Sequence, residues 1–242
     1  MTNANNKHLH MKIALLGYGK MGKVIEKIAL EREHEIVLRK GSLDSFDGLA
    51  EADVAIDFSV PNSAVKHISE CLNHNIPVIS GTTGWLENYD EMVNLCQEKN
   101  GSFIYGSNFS LGVNIFFELN NYLAKMMKNL KDYNVSMEEI HHLQKLDAPS
   151  GTAISLAKGI IENTDYTNWT LDNAASNEIY IDAKRIENIP GTHSVFYDSK
   201  VDQIEIKHTA HNREGFALGS VIAAEWLLGK KGVFTMKDVL GI

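Results

Sequence analysis

The sequence predicts an α/β fold in which a doubly wound parallel sheet is joined to a second, α+β domain with a mixed sheet. Three observations carry this reading. Short, continuously apolar runs, MKIALL at 11–16, DVAIDFS at 53–59 and PVIS at 77–80, alternate with helix-patterned segments, the pattern of parallel strands covered on both faces. A glycine-rich turn, GYGKMG at 17–22, joins the first run to the first helical pattern. Beyond Ser107 the texture changes to longer helices and alternating strands.

Taken in order, Met11 to Leu16 reads as a strand, and the helix after the glycine turn carries Val24, Ile25, Ile28 and Ala29 on its apolar face. EIVLR, ending at Arg39, is the second strand, and Asp53 to Ser59 is the third, closed by Pro61. A helix over 62–73, the strand PVISG, a helix over 86–99 and the strand SFIYG complete the alternation. Leu111 to Met127 then reads as a long helix. YNVSMEEIHH reads as a strand with Val135, Met137, Glu139 and His141 on one face. DAPSGTA opens a further helix through Ile154, Leu156, Ala157 and Ile160. The segment 164–177, rich in Asn, Asp and Thr, reads as a loop, and IYIDAKRIE and VDQIEIKHTAH as strands of a mixed or antiparallel sheet. GFALGSVIAAEWLLG is an apolar helix of about four turns that packs against a sheet or between domains.

With 242 residues the chain is long enough for one large domain or two small ones. Its net charge of −8 argues against a nucleic-acid surface and leaves a local basic pocket as the way to attract an acidic ligand. No segment approaches the roughly 20 apolar residues of a membrane span, so a small-molecule partner is expected and a membrane is not. Cys71 and Cys96 lack metal or CxxC spacing and read as reduced core thiols, which suits the cytoplasm. The leader MTNANNKHLH at 1–10 is polar, lacks the apolar stretch of a signal peptide and stands outside the fold argument.

Gly17, Tyr18, Gly19, Lys20, Met21 and Gly22 fit G-x-G-x-x-G between a strand and a helix, the Rossmann-type arrangement that seats a dinucleotide pyrophosphate on a helix N-terminus. A tight strand-to-helix turn without a ligand is the plain alternative. At the end of the second strand, where an acid commonly holds the adenosine ribose, stand Arg39 and Lys40. Two cations there favour the 2′-phosphate of NADPH over NADH, unless they are merely solvated. Gly81, Thr82, Thr83 and Gly84 follow another strand at its carboxyl end, where open α/β sheets bind ligands. Ser107, Asn108 and Phe109 end a further strand, offering an amide and an aromatic face to a nicotinamide ring, or else a hinge between domains.

The densest chemistry lies in EEIHHLQKLDAPSGTA at 138–153. A zinc site is disfavoured because His141 and His142 are adjacent and would point to opposite faces of a strand, so no metal is expected. Satisfied core histidines with a surface lysine are the structural alternative. An acid/base reading explains more: one histidine of near-neutral pKa delivers a proton, Lys145 acts as a cation or second acid, and Glu139 and Asp147 tune them. Asp147 or Ser150 caps the next helix, whose first residues, Gly151 and Thr152, offer backbone N–H groups to a carboxylate.

Together GYGKMG, GTTG, SNFSLGVN, E-x-HH-x-x-K-x-DAPSGTA and PGTHSV resemble the dihydrodipicolinate reductase family over essentially the whole chain from Met11, the HH-x-x-K-x-DAPSGTA string being the most specific. The resemblance implies a two-domain, typically homotetrameric enzyme reducing a cyclic imine dicarboxylate of diaminopimelate and lysine biosynthesis with NADPH or NADH. It implies a nucleotide domain over 11–108 and 212–242 and a substrate and oligomerisation domain over 109–211. His141 and Lys145 become the catalytic proton donors, His142, Gly151 and Thr152 the substrate holders, and the glycine loop, Gly81 to Thr83 and the stretch through Asn108 and Phe109 the cofactor contacts. The glycine loop is one residue shorter than the family's common G-x-x-G-R-M-G form. A related amino-acid or aldehyde dehydrogenase and a non-catalytic NAD(P) sensor are the alternatives; neither explains the whole 138–153 string.

Overall fold

The structure, a computed structural model, describes residues 10–212 and 214–242, so the predicted leader, apart from His10, lies outside the described residues. The chain divides into two compact units, one running to Leu111 and resuming at Glu214–Ile242, the other spanning 112–213.

The first unit contains β1 (Lys12–Leu16), α1 (Lys20–Glu31), β2 (Glu35–Lys40), β3 (Val54–Asp57), α2 (Pro61–Asn73), β4 (Val78–Ser80), α3 (Tyr89–Glu98) and β5 (Ser102–Tyr105). All of these follow the predicted order. The strands form a parallel sheet in the order β11-β5-β4-β3-β1-β2, in which β11 (Gly232–Phe234) comes from the far end of the chain. Side-chain alternation explains why the strands are apolar throughout. Ile13 and Leu15 pack on one face with Ile25, Ile28, Val221 and Ala224, while Ala14 and Leu16 pack on the other with Ile68, Cys71, Leu72 and Cys96. Both cysteines are buried and unpaired.

The apolar helix α6 (Glu214–Leu227) belongs to this unit and is locked to it by polar contacts as well. Arg32, at the end of α1, makes a two-pronged pair with Glu225 at 2.7 Å for each bond, and His34 lies 2.9 Å from the same carboxylate. Close approach depends on Gly219, where a Cβ would fall 1.7 Å from the Phe109 carbonyl oxygen. β11 and the short α7 (Met236–Leu240) were not foreseen. The latter starts with a capping box between Thr235 and Asp238, and β11 is too short to show a period.

The second unit comprises α4 (Leu111–Met127, its first residue assigned to the first unit), β6 (Asn134–His141), α5 (Gly151–Asn163), β7 (Asn168–Thr170), β8 (Glu178–Arg185), β9 (Gly191–Asp198) and β10 (Gln203–Ala210). The sheet order is β10-β9-β6-β8-β7, antiparallel on the β10-β9-β6 side and parallel on the β6-β8-β7 side. Phe116, Leu123 and Met127 of α4 and Leu156, Ala157 and Ile160 of α5 cover one face, against Val135, Met137, Ile179, Ile181 and Val195. The predicted loop over 164–177 contains the edge strand β7. Its Asn and Thr content hid a pairing that β8 supplies. PGTHSV runs into β9, a strand that sequence reading had left unassigned.

Candidate active site

β6 delivers the first charged groups. Along it Val135, Met137, Glu139 and His141 are buried and the alternate residues less so, as the strand period predicts, while His142 is the first residue past the strand and is half-buried. Sheet register then adds partners that no sequence spacing reveals: His193 of β9 stands opposite Glu139, and Arg185 of β8 opposite His141.

Glu139 is wholly buried and saturated. Its Oε1 accepts a bond from Arg185 Nη2 at 3.1 Å and its Oε2 one from the Ser150 N–H at 2.9 Å, while His141 Nδ1 and His193 Nε2 lie 3.6 and 3.7 Å from Oε2. Burial alone would push this carboxyl up. His193, the Ser150 side chain and N–H, and His141 outweigh it and hold it down at about 2. His193 Nε2 is also 3.0 Å from Ser150 Oγ, and that oxygen accepts the Ala153 N–H at 3.2 Å, so Ser150, not Asp147, caps α5.

His141 is pushed down to about 4, first by burial, then by His193, with Lys145 and Arg185 adding to the effect and Glu139 opposing it. The near-neutral value expected from sequence is therefore corrected, because the fold buries the ring among other cationic groups. Its ring meets that of His193 edge-on at 5.0 Å. A Cβ on Gly191 would come 3.1 Å from its Nε2, so the glycine of PGTHSV leaves the imidazole its room.

Lys145 is half-buried on the turn after β6 and donates to both Asp147 oxygens at 2.9 Å, which holds the Asp147 carboxyl below its usual range. At the start of α5, Gly151 and Thr152 precede the first residue whose N–H the Ser150 side chain takes, and a Cβ on Gly151 would meet nothing within 4 Å. These N–H groups have no intrahelical acceptor and are open to an anion. The structure thus gathers Glu139, His141, His193, Ser150 and Arg185 around one buried carboxylate. The donor atoms of Glu139, His141 and His193 lie within 4.8 Å of one another and could hold a metal ion. Both oxygens of Glu139 already accept a bond, one from Arg185 and one from the Ser150 N–H.

The predicted cofactor residues belong to the first unit. Gly17 has φ +98°, and a Cβ there would fall 2.2 Å from the Phe58 carbonyl oxygen; at Gly22 a Cβ would fall 2.5 Å from the Gly17 oxygen. Gly19 is different: its Cβ position is open, and as N-cap of α1 it supplies no side-chain acceptor. Uncapped N–H groups beside an open backbone fit a pyrophosphate. Lys20, Thr83 and Ser107 are exposed, and Tyr18, Met21, Gly81 and Asn108 half-buried.

Two expectations here are corrected, those for Lys40 and for the Phe109 ring, and that for Arg39 is narrowed. Lys40 is buried, donating to the Asp44 carbonyl at 2.6 Å and the Gly41 carbonyl at 3.2 Å with its amine 4.8 Å from the Phe46 ring centre, so it braces a loop. Arg39 is exposed but paired with Glu26, which also accepts from the Tyr18 hydroxyl. The Phe109 ring is 1% exposed and packs on Phe58 in the core, leaving no aromatic face for a nicotinamide. Thr82 likewise uses its hydroxyl on the buried Asp57 at 2.8 Å. Asp57 also takes bonds from Ser59, His67 and Ser80, a network that sequence reading missed because its members lie on three separate segments.

Residues 11–109 match the family profile described as "Dihydrodipicolinate reductase, N-terminus", and residues 112–240 match "Dihydrodipicolinate reductase, C-terminus". The chain belongs to the dihydrodipicolinate reductase family. A 4-hydroxy-tetrahydrodipicolinate reductase of Christiangramia forsetii is 58% identical over 233 residues, spanning 95% of this chain and 98% of that one. One of Thermosipho africanus is 36% identical over 235 residues with the same coverage. Among solved structures, a dipicolinate-bound dihydrodipicolinate reductase from Paenisporosarcina sp. TG-14 is similar with a TM-score of 0.76 at 22% identity, over 95% of this chain and 99% of that one, a likeness of fold. As a member of the dihydrodipicolinate reductase family, the chain is an oxidoreductase of the pyridine-nucleotide-dependent class. Among the described residues no helix is long and apolar enough to cross a membrane.

Proposed function

We propose that this chain reduces 4-hydroxy-tetrahydrodipicolinate to tetrahydrodipicolinate with NADPH or NADH, in diaminopimelate and lysine biosynthesis. The observation that carries the reading is the buried Glu139, His141 and His193 cluster beside Lys145 and the open start of α5. A bound nicotinamide supplies hydride to a ring carbon conjugated with the imine. The residues of this chain then have three tasks.

The first is to hold two carboxylates. The N–H groups of Gly151 and Thr152 take one, and Lys145 with His142 takes the other, local attraction that offsets the chain's acidity. The second is to protonate the ring centre made basic by hydride. His141 is neutral at rest, so it takes up a proton from solvent as the substrate binds: two incoming negative charges raise its pKa, and the ring then serves as the acid. The third, which comes before hydride arrives, is departure of the 4-hydroxyl as water together with a proton from the adjacent ring carbon. Lys145 protonates the leaving oxygen, and the elimination creates the conjugated double bond.

Cofactor contacts fall to Gly17, Tyr18, Gly19, Lys20, Met21 and Gly22, to Gly81 and Thr83, and to Ser107 and Asn108, with Thr82 and Phe109 contributing backbone. A preference for NADPH now rests on Arg39 alone. Residues 11–108 and 212–242 form the nucleotide domain, and 109–211 the substrate and oligomerisation domain of a cytoplasmic homotetramer. An exposed apolar row on α4, Ile115, Leu119, Tyr122 and Met126, supports assembly, and the unpaired thiols support a reducing compartment.

The test is loss of reduced-nicotinamide absorbance with substrate made in place by the preceding synthase. Turnover is expected in the wild type, with kcat lowered by roughly 10² to 10⁴ in His141→Gln and in Lys145→Ala. Absence of turnover by a chain that binds the nucleotide would leave it a sensor.

A further inference from the structure

The turn from 142 to 150 carries Lys145 and ends at the anion-binding start of α5, yet it has little apolar anchorage. Leu143 and Leu146 are 58% and 96% exposed. What holds the turn is polar. Arg185, the last residue of β8, reaches across with Nε donating to the Lys145 carbonyl at 3.2 Å and Nη2 donating to the Asp147 carbonyl at 2.6 Å. The same Nη2 donates to Glu139 Oε1, and Nη1 to the Lys184 carbonyl at 2.8 Å. Glu139 in turn uses its other oxygen to hold the Ser150 N–H. One guanidinium and one carboxylate therefore tie the middle and the far end of the turn to β8 and to β6, the strand that carries His141.

We propose that Arg185 is a positioning residue for the reaction: directly it fixes the backbone at Lys145 and Asp147, and through Glu139 the start of α5, relative to His141. This rests on the reading of His141 and Lys145 as the proton-handling pair. The planar fork is what the task needs. Its N–H groups diverge in one plane to meet three carbonyls and a carboxylate, which a single compact ammonium cannot do. A displacement of about 1 Å in a catalytic group can cost 10²-fold in rate, so the turn's anchorage controls turnover although Arg185 itself touches no reacting atom in this scheme.

The experiment compares the full-length wild type with Arg185→Lys and Arg185→Ala by two readouts. Amide hydrogen exchange over 142–150 is expected to quicken roughly tenfold or more in both variants, while exchange in β1 to β5 is unchanged. In steady-state assays kcat is expected to fall about 10²-fold, with KM for the dicarboxylate raised and nucleotide affinity unaltered. Added guanidinium is expected to restore part of the kcat of Arg185→Ala. Unchanged exchange over 142–150 in Arg185→Lys would overturn the proposal, as would a kcat within twofold of wild type in Arg185→Ala. A uniform rise in exchange across the unit, with no rescue, would make Arg185 a structural residue only and would also overturn it. Failure of the wild type to turn over would sink the underlying reading instead, and the exchange data would still decide whether the turn is braced.

Discussion

His193 stands directly across the sheet from Glu139, in register between antiparallel β9 and β6, with its Nε2 3.7 Å from the carboxylate and 3.0 Å from Ser150 Oγ. Two residues 54 positions apart in the chain thus form the floor on which His141 rests. The pairing joins the strand that carries Glu139 and His141 to the start of α5.

Replacing Glu139 with Gln keeps the shape but removes the charge that Arg185 and His193 face. It also turns an amide donor toward groups that themselves donate. Breaking a buried pair in this way costs about 3 kcal/mol, and urea denaturation should show a loss of that order. A midpoint equal to wild type would mean that the cluster holds no stability.

Acid should weaken the fold in two windows. His141 has a folded value of about 4 against an ordinary 6.5, so the unfolded chain binds the proton more readily. Its contribution, up to about 3 kcal/mol, is complete above pH 6.5 and is lost as pH falls toward 4. Glu139, held at about 2 against an ordinary 4.5, contributes fully above pH 4.5 and loses its share on further acidification. Denaturation midpoints across this range should fall in both windows for the wild type and only in the lower one for His141→Gln. The same upper slope in that variant would show that His141 is not the group concerned.

The two loop glycines should separate folding from binding. Gly17→Ala places a methyl 2.2 Å from a carbonyl oxygen at φ +98° and should destabilise the first unit by about 3 kcal/mol. Gly19→Ala meets nothing within 4 Å and should melt like wild type while binding NADPH and NADH roughly tenfold more weakly. Full nucleotide affinity in Gly19→Ala would place the pyrophosphate elsewhere.

Arg39 and Lys40 should diverge as well. Arg39→Ala is expected to weaken NADPH more than NADH, because the exposed guanidinium can be shared between Glu26 and a 2′-phosphate. Lys40→Ala is expected to lower thermal stability by loosening the turn at 41–44 and to leave the ratio of the two affinities alone. Titration of both nucleotides against both variants decides it, and a changed ratio in Lys40→Ala would restore that lysine as a phosphate contact.

Much of the architecture was legible because it is written in local periods. Strands β1 to β5, helix α4 and the exposed and buried faces of β6 follow from alternation and from the glycine turn. The short elements β7, β11 and α7 did not, since three to five residues span too little of any period and depend on a neighbour for their bonds. In the site, His141, Lys145, Gly151 and Thr152 were visible because one contiguous string carries them. His193 and Arg185 were not, although PGTHSV holds the first and AKR the second.

The sequence by itself determined the fold class, the glycine turn poised for a dinucleotide and the concentration of proton donors beside a helix start, because each is a matter of residue type at short spacing. Only the tertiary structure decided how far burial shifts His141, what each cation is bonded to and what holds the turn in place. Burial moves His141 below neutrality, loop carbonyls consume Lys40, and strand register brings Arg185 and His193 to Glu139. Those outcomes depend on the dielectric and the neighbours that distant segments supply, and no local pattern encodes them.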